Sequence, residues 1–174
     1  RNMIDIFKLQ DEIKIEVLKA IGVSLADGDH FVNLFQGVND LDTFLKYLKA
    51  RNLFWQMNIE SNNLSQKVLL EILETNNQIP TVYTALGFNY ILDIFFGTCN
   101  YPILCLGKST EAARKALKLD PNNYKAHQLI GYIYLLRSEH ENSINQLKKS
   151  ILVNPSNADA YLNLGMAYYF LGKP

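Results

Sequence analysis

Residues 117–134 (LKLDPNNYKAHQLIGYIY) and 151–168 (ILVNPSNADAYLNLGMAY) are two copies of one pattern. The matched pairs are Pro121 and Pro155, Asn122 and Ser156, His127 and Tyr161, Ile130 and Leu164, Gly131 and Gly165, and Tyr134 and Tyr168. All share a single offset, so the pattern has a fixed period. Each residue has a task in a unit of two helices. Proline cannot continue a helix and restrains the residue before it, so Pro121 and Pro155 stop the second helix of a pair. Gly131 and Gly165 let a facing helix approach the backbone, while Ala116 and Ser150, at the same offset, keep the second helix thin at its crossing. Ile130, Tyr134, Ile144 and Leu147 are expected to fill the seam. A helix pair of this kind cannot bury its apolar face alone, so a fixed period implies stacking. The predicted fold is all-α, an α–α superhelix of stacked antiparallel helix pairs.

Working outward, an earlier copy has two possible registers. Gly97 also lies one period before Gly131, but Asp93 and Asn100 stand where large apolar residues belong. Gly87 fits better, because Tyr83, Leu86, Gly87 and Tyr90 reproduce Tyr161, Leu164, Gly165 and Tyr168 in order. An insertion is then expected between the helices of this unit, around 96–106. Further upstream, Leu41, Phe44, Leu45, Leu48 and Trp55 predict a helix over 41–57 with Asn39 or Asp40 as N-cap. Leu64, Val68, Leu69, Ile72 and Leu73 predict its partner, making an αα-hairpin whose nearest small crossing residue is Ala50. Ile6, Leu9, Ile13, Val17 and Ile21 form one stripe ended by Gly22. The expected division is a helical linker over 1–40, a degenerate pair over 41–79, a pair with the insertion over 80–123, a regular pair over 124–157, and a first helix alone over 158–174.

From residue 80 onward these motifs resemble the tetratricopeptide repeat (TPR) family, over a little more than half of the chain. The repeat period of that family, about 34 residues, is the offset that the matched pairs share. The resemblance implies a TPR solenoid that binds proteins and does no chemistry. Three strings, IDIFKLQDEI (4–13), LGFNYILDIFFG (86–97) and ARKALKLDP (113–121), also resemble the C-terminal regions of bacterial class III adenylate/guanylate cyclases that carry such repeats. Similar regions follow winged-helix domains in some bacterial regulators. What this implies is the C-terminal interaction module of a larger bacterial signalling protein. The alternatives are a regulatory or dimerisation segment of a cyclase, or the sensor half of a transcription regulator.

Composition agrees with a binding module. An apolar fraction of 48% is enough for a substantial core. Seventeen basic residues balance seventeen acidic ones, which leaves no overall field to concentrate nucleic acid or anionic lipid. No apolar run approaches the roughly eighteen residues of a membrane span, and residues 1–8 are too polar for a signal peptide. The start without methionine reads as a piece of something longer or a processed product. Cys99 and Cys105 lack CxxC spacing, and a domain of this size needs no bridge, so a reducing cytoplasm fits.

Three motifs look like chemistry and are better explained otherwise. LGKST (106–110) resembles a phosphate loop, but Pro102 stands where that loop requires glycine. Ser109 or Thr110 is expected to cap a helix there. Asp27, Gly28 and Asp29 suggest a calcium loop, yet its sixth and twelfth positions are Val32 and Val38. Cys99, Cys105 and His127 fall short of the four closely paired ligands of a structural zinc site, and His127 is expected to pack where other repeats place tyrosine. His140 is expected to be exposed at a helix start. No nucleophile with a base and an oxyanion donor is recognisable, so neither catalysis nor a cofactor or metal is expected.

By resemblance to the family, the first helix of each pair lines a concave groove. The residues so placed are Thr84 and Phe88; Lys125, Gln128, Tyr132 and Leu135; and Asp159, Leu162, Met166, Tyr169 and Phe170. Chaperone-binding members clamp a peptide carboxylate with lysines, arginine and asparagines. This chain keeps Lys125 and Asn163 but has Gln128, Tyr132 and Asp159 at other clamp positions, which disfavours that role. The expected partner is a protein or peptide met through apolar contacts, with self-association through the last helix as a further expectation.

Overall fold

Turn and cap residues in this sequence decide where each helix starts. Asn58 and Asn123 accept hydrogen bonds from the Ser61 and Ala126 amides, both at 2.9 Å, and so cap two helices. Pro80 and Pro102 open two more, where a missing amide costs nothing. After Leu119 and Val153, the side chains of Asp120 and Asn154 accept from the amides of Asn122 and Ser156 at 3.0 Å, forming the same turn twice. The computed structural model describes residues 41–172. Among them are seven helices and no strand: α1 (Leu41–Trp55), α2 (Ile59–Thr75), α3 (Pro80–Phe95), α4 (Pro102–Leu119), α5 (Tyr124–Leu136), α6 (His140–Val153) and α7 (Ala158–Phe170). The expectations for 1–40, including the Asn39 or Asp40 cap and the calcium-like loop, lie outside the described residues.

Each helix packs on its neighbours in sequence, and α1, α3, α5 and α7 also touch in turn, which makes a solenoid. Inside each pair the helices cross at a small residue. A Cβ on Gly131 would lie 2.6 Å from Leu147 Cγ of α6 and one on Gly87 3.5 Å from Ala112 Cβ of α4, while between pairs the same Gly87 position would run into Leu129 Cδ2 of α5. The same crossings carry a serine. Ser65 Oγ donates to the Ala50 carbonyl at 2.9 Å, Ser109 Oγ to Gly87 at 2.9 Å, and Ser143 Oγ to Gly131 at 2.8 Å. All three serines are buried. The core runs along the stack as linked clusters, from Phe44, Leu69 and Ile79, through Ile91, Leu129 and Ile133, to Leu135, Ile144 and Ala167.

Several expectations are corrected. Trp55, Leu45 and Leu64 are exposed, and the buried face of α1 is Phe44, Tyr47 and Ala50. The reason is that α1 meets α2 on that side, while Trp55 lies off that face against the neighbouring Phe54 ring and Leu64 lies off the buried face of α2. In α5, Leu129 and Ile133 are buried while Ile130 and Tyr134 are only half-buried. The extra residues after Gly87 are distributed: α3 and α4 have 16 and 18 residues against 13 and 14 in α5 and α6. LGKST lies inside α4, so Ser109 and Thr110 are not caps, and the amides a phosphate loop would offer are in a helix interior. Gly97 sits in the turn at φ +68° with open space around it. Cys99 and Cys105 are joined in a disulfide, because that turn brings their Cα atoms to 6.5 Å. The pairing removes the cysteine argument for a reducing compartment. No helix among the described residues is long and apolar enough to cross a membrane.

Gly165 is the most consequential correction. Unlike Gly131, it has nothing within 4 Å of a Cβ position. Gly131→Leu should therefore cost stability, by roughly 1–3 kcal/mol of overpacking, and Gly165→Leu should leave it nearly unchanged. Urea unfolding of both variants checks this. A second expectation concerns Tyr47, whose phenol is pushed up to about 12 by burial, partly offset by Arg51. The unfolded phenol titrates near 10, so the native state holds this proton more tightly. Its contribution is complete below about pH 10 and is lost as pH rises toward 12. Tyr47→Phe should flatten that loss in unfolding curves taken across the window.

Candidate functional site

Positions one period apart meet across the stack. Lys125 at the start of α5 and Asp159 at the start of α7 form an ion pair at 3.4 Å, which puts the first turns of both helices on one surface. Lys125 Nζ also donates to Gln128 Oε1 at 3.2 Å. That oxygen accepts from Asn157 Nδ2 at 2.9 Å, and Asn157 donates again to Ser150 Oγ at 3.0 Å. Ser150 Oγ in turn donates to the Tyr124 carbonyl at 2.8 Å. This chain of bonds ties α5, α6 and α7 together beneath the surface. On the same helix, Tyr132 is half-buried, and burial raises its phenol above the ordinary value.

Past its charged first turn, the surface of α7 becomes apolar and open. Tyr161, Leu162, Gly165, Met166, Tyr169 and Phe170 line a depression of about 490 Å³ on α7. Leu162 and Tyr169 are 66% and 74% exposed, values that leave most of each side chain available to a partner. Phe170 is held at its end by His140, whose ring stacks on it at 5.4 Å, and Tyr169 meets the Phe170 ring edge-on. His140 is thus half-buried at the start of α6.

Seven of the eleven expected groove residues fall into two sets. Lys125, Gln128 and Asp159 meet through hydrogen bonds, and Leu162, Met166, Tyr169 and Phe170 gather in the depression. Thr84, Gln128 and Leu135 are buried and present no surface. The next helix layer accounts for Leu135, which packs with Ala167 and Ile144. Thr84 Oγ1 is turned back onto the Thr81 carbonyl, and Phe88 packs against the core around Ile91 and Leu129. His127 bridges Gln146 at 2.9 Å and the Pro121 carbonyl at 3.1 Å, a packing role. With both cysteines bonded to each other, no metal-binding group of side chains exists among the described residues.

Two polar centres went unread in the sequence. Asn157 is one, although Asn123 stands one period before it and could have pointed to it. The other is Asp93, which accepts from Asn62 at 2.7 Å and from Gln66 at 3.0 Å, joining α2 to α3. Asn157→Ala should destabilise the fold by about 1–3 kcal/mol, because Gln128 and Ser150 lose a buried partner. Asp159→Ala, which removes only a surface ion pair, should cost under about 1 kcal/mol. Thermal melts of the two variants distinguish them.

Comparisons with known proteins agree with this geometry. A peroxisomal targeting signal receptor from Kluyveromyces lactis is 24% identical over 163 residues, 93% of this chain. The chain spans 28% of that relative's length. Among solved structures, a thermophilic TPR protein of Thermus thermophilus superposes with a TM-score of 0.67 at 17% identity, covering 94% of this chain and 83% of that one. The first TPR of Spaghetti (RPAP3), bound to the HSP90 peptide SRMEEVD, superposes with a TM-score of 0.59 at 13% identity, covering 78% of this chain and 98% of that one. Residues 131–172 match the family described as TPR repeat, and the described chain has the all-α fold of a TPR-like helical solenoid.

Proposed function

We propose that the chain is a non-catalytic protein-interaction module that holds an apolar segment of a partner protein against α5 and α7. The observation that carries this reading is the uncharged, exposed row of Leu162, Met166, Tyr169 and Phe170 on α7. The names of the similar proteins support the class: one is a receptor for a targeting signal, and one is bound to a peptide. The bound peptide SRMEEVD is acidic. Here Lys125 is engaged by Asp159, so the groove offers apolar area more than positive charge. The finer reading is a cytoplasmic module of a bacterial signalling protein, regulating a class III cyclase or sensing for a winged-helix regulator. It rests on the resemblance of residues 4–13, 86–97 and 113–121. The output domain joined to the module separates those two alternatives.

Selection of peptides from a displayed library on the 174-residue chain tests the proposal. Apolar, weakly charged segments should emerge, and Leu162→Asp or Met166→Asp should weaken them about tenfold or more. Leu152→Asp, at an exposed position on α6, should leave binding unchanged. Selected peptides that are acidic, or that bind all three variants alike, would refute this groove.

A further inference from the structure

Two junctions between helices carry no charge. Residues 52–59 (NLFWQMNI) lead from α1 into α2 between Arg51 and Glu60, and residues 94–107 (IFFGTCNYPILCLG) lead from α3 into α4 between Asp93 and Lys108. The junction after α5 is different, since it holds Arg137, Glu139 and Glu141, the first two paired at 3.0 Å. An apolar junction is therefore not something the repeat demands. One carboxylate sets the two uncharged junctions side by side: Asp93 accepts from Asn62 and Gln66 of α2 at 2.7 and 3.0 Å, and from Thr98 in the turn after α3 at 3.2 Å. That turn is also braced by the Cys99–Cys105 bond. In the other, Met57 holds φ +50°, a conformation uncommon for a long side chain.

The two junctions leave Trp55, Met57, Phe95, Tyr101, Ile103 and Leu104 at the surface, each between 53% and 67% exposed. Helix α5 already packs on α3 and α4, so the exposure persists with the following repeat in place. At roughly 150–250 Å² for a full aromatic side chain and somewhat less for an aliphatic one, the open parts amount to about 700 Å². That exceeds the largest apolar patch usual on a monomer, about 300–600 Å², and approaches the roughly 800 Å² that each partner gives to a stable interface. The rim selects what covers it. Arg51 lies on the face of Trp55, one helical turn before it, and Glu60 stands in the first turn of α2. Both are exposed, and neither has an ion-pair partner among the described residues. A neutral apolar centre with one free charge of each sign at its edge is complementary to itself under a twofold rotation. We infer that the α1–α2 and α3–α4 junctions form a homodimer interface, in which a second copy of this chain covers Trp55 and Tyr101 and pairs its Glu60 with Arg51 across the axis. This surface is separate from the depression on α7, and the inference does not rest on the groove.

Trp55 is the single tryptophan of the chain, so its emission reports on this surface. Sedimentation velocity and Trp55 emission are followed together on the full 174-residue chain from roughly 1 μM to 1 mM. A transition from monomer to dimer is expected, with the emission moving to shorter wavelength over the same range. Tyr101→Asp and Ile103→Asp, both at exposed positions, should raise the dissociation constant about tenfold or more and leave the melt of the dilute monomer unchanged. Arg51→Glu should weaken the dimer several-fold, and adding Glu60→Arg should restore it. Leu162→Asp on α7 should keep the dimer while losing groove ligands, so failure of this interface and failure of the groove read differently. A chain that stays monomeric throughout overturns the inference, as does a double variant no tighter than Arg51→Glu. So does a dimer that forms with Trp55 emission unmoved, since another surface would then make the contact. A monomer that phosphatidylcholine vesicles draw down, with the emission shifting on the vesicles, overturns it too, because a bilayer would then cover the patch.

Discussion

The close approach of two helix backbones at a residue with little or no side chain is the constraint on which this molecule depends. Packed helices usually stand roughly 8–10 Å apart, and the distance is set by the side chains between them. Where Gly131 faces Leu147, no room remains for even a Cβ. At that separation a serine on one helix can reach a carbonyl on the other, and it does so at Ala50, Gly87 and Gly131. The bond adds direction to a contact that apolar packing alone would leave free to slide. Each pair thereby acquires a fixed crossing, and identical crossings generate a regular stack.

Polar groups do related work between the pairs. Asn62 and Gln66 of α2 converge on Asp93 of α3, while Asn157 links Gln128 of α5 to Ser150 of α6. Each of these bonds requires one relative placement of the two helices it joins, so these groups also fix how one pair sits on the next. This orientation brings Lys125 to Asp159 and closes the charged end of the surface, leaving the rest of α7 apolar. The candidate groove is thus a consequence of stacking order.

That order also explains why equivalent residues have different fates. Leu135 and Tyr169 stand one period apart, yet Leu135 is buried under α7 and Tyr169 is 74% exposed. Gln128 is buried within its hydrogen-bond chain, and Leu162, its counterpart, is open. Gly131 and Gly165 differ in the same way. A repeated sequence repeats its helices but not its surroundings, because burial depends on what the neighbouring layer supplies.

Helix type, the helix stops at Pro121 and Pro155, and the crossing role of Gly131 were legible in the sequence. They are local consequences of backbone sterics and of a period set by one structural unit. Fold class followed from that period. Which apolar residues of α1 are buried was not legible, because Trp55 and Phe44 are equally apolar and only the placement of α2 separates them. Nor was the Cys99–Cys105 bond, which exists because the turn after α3 folds back, or the role of Ser109, which a cap-like motif disguised. Within the candidate site, the sequence listed Leu162, Met166, Tyr169 and Phe170 together with Thr84, Gln128 and Leu135. Helical periodicity fixes which side of its own helix a residue takes, and only the packing of the next helix decides whether that side meets protein or water.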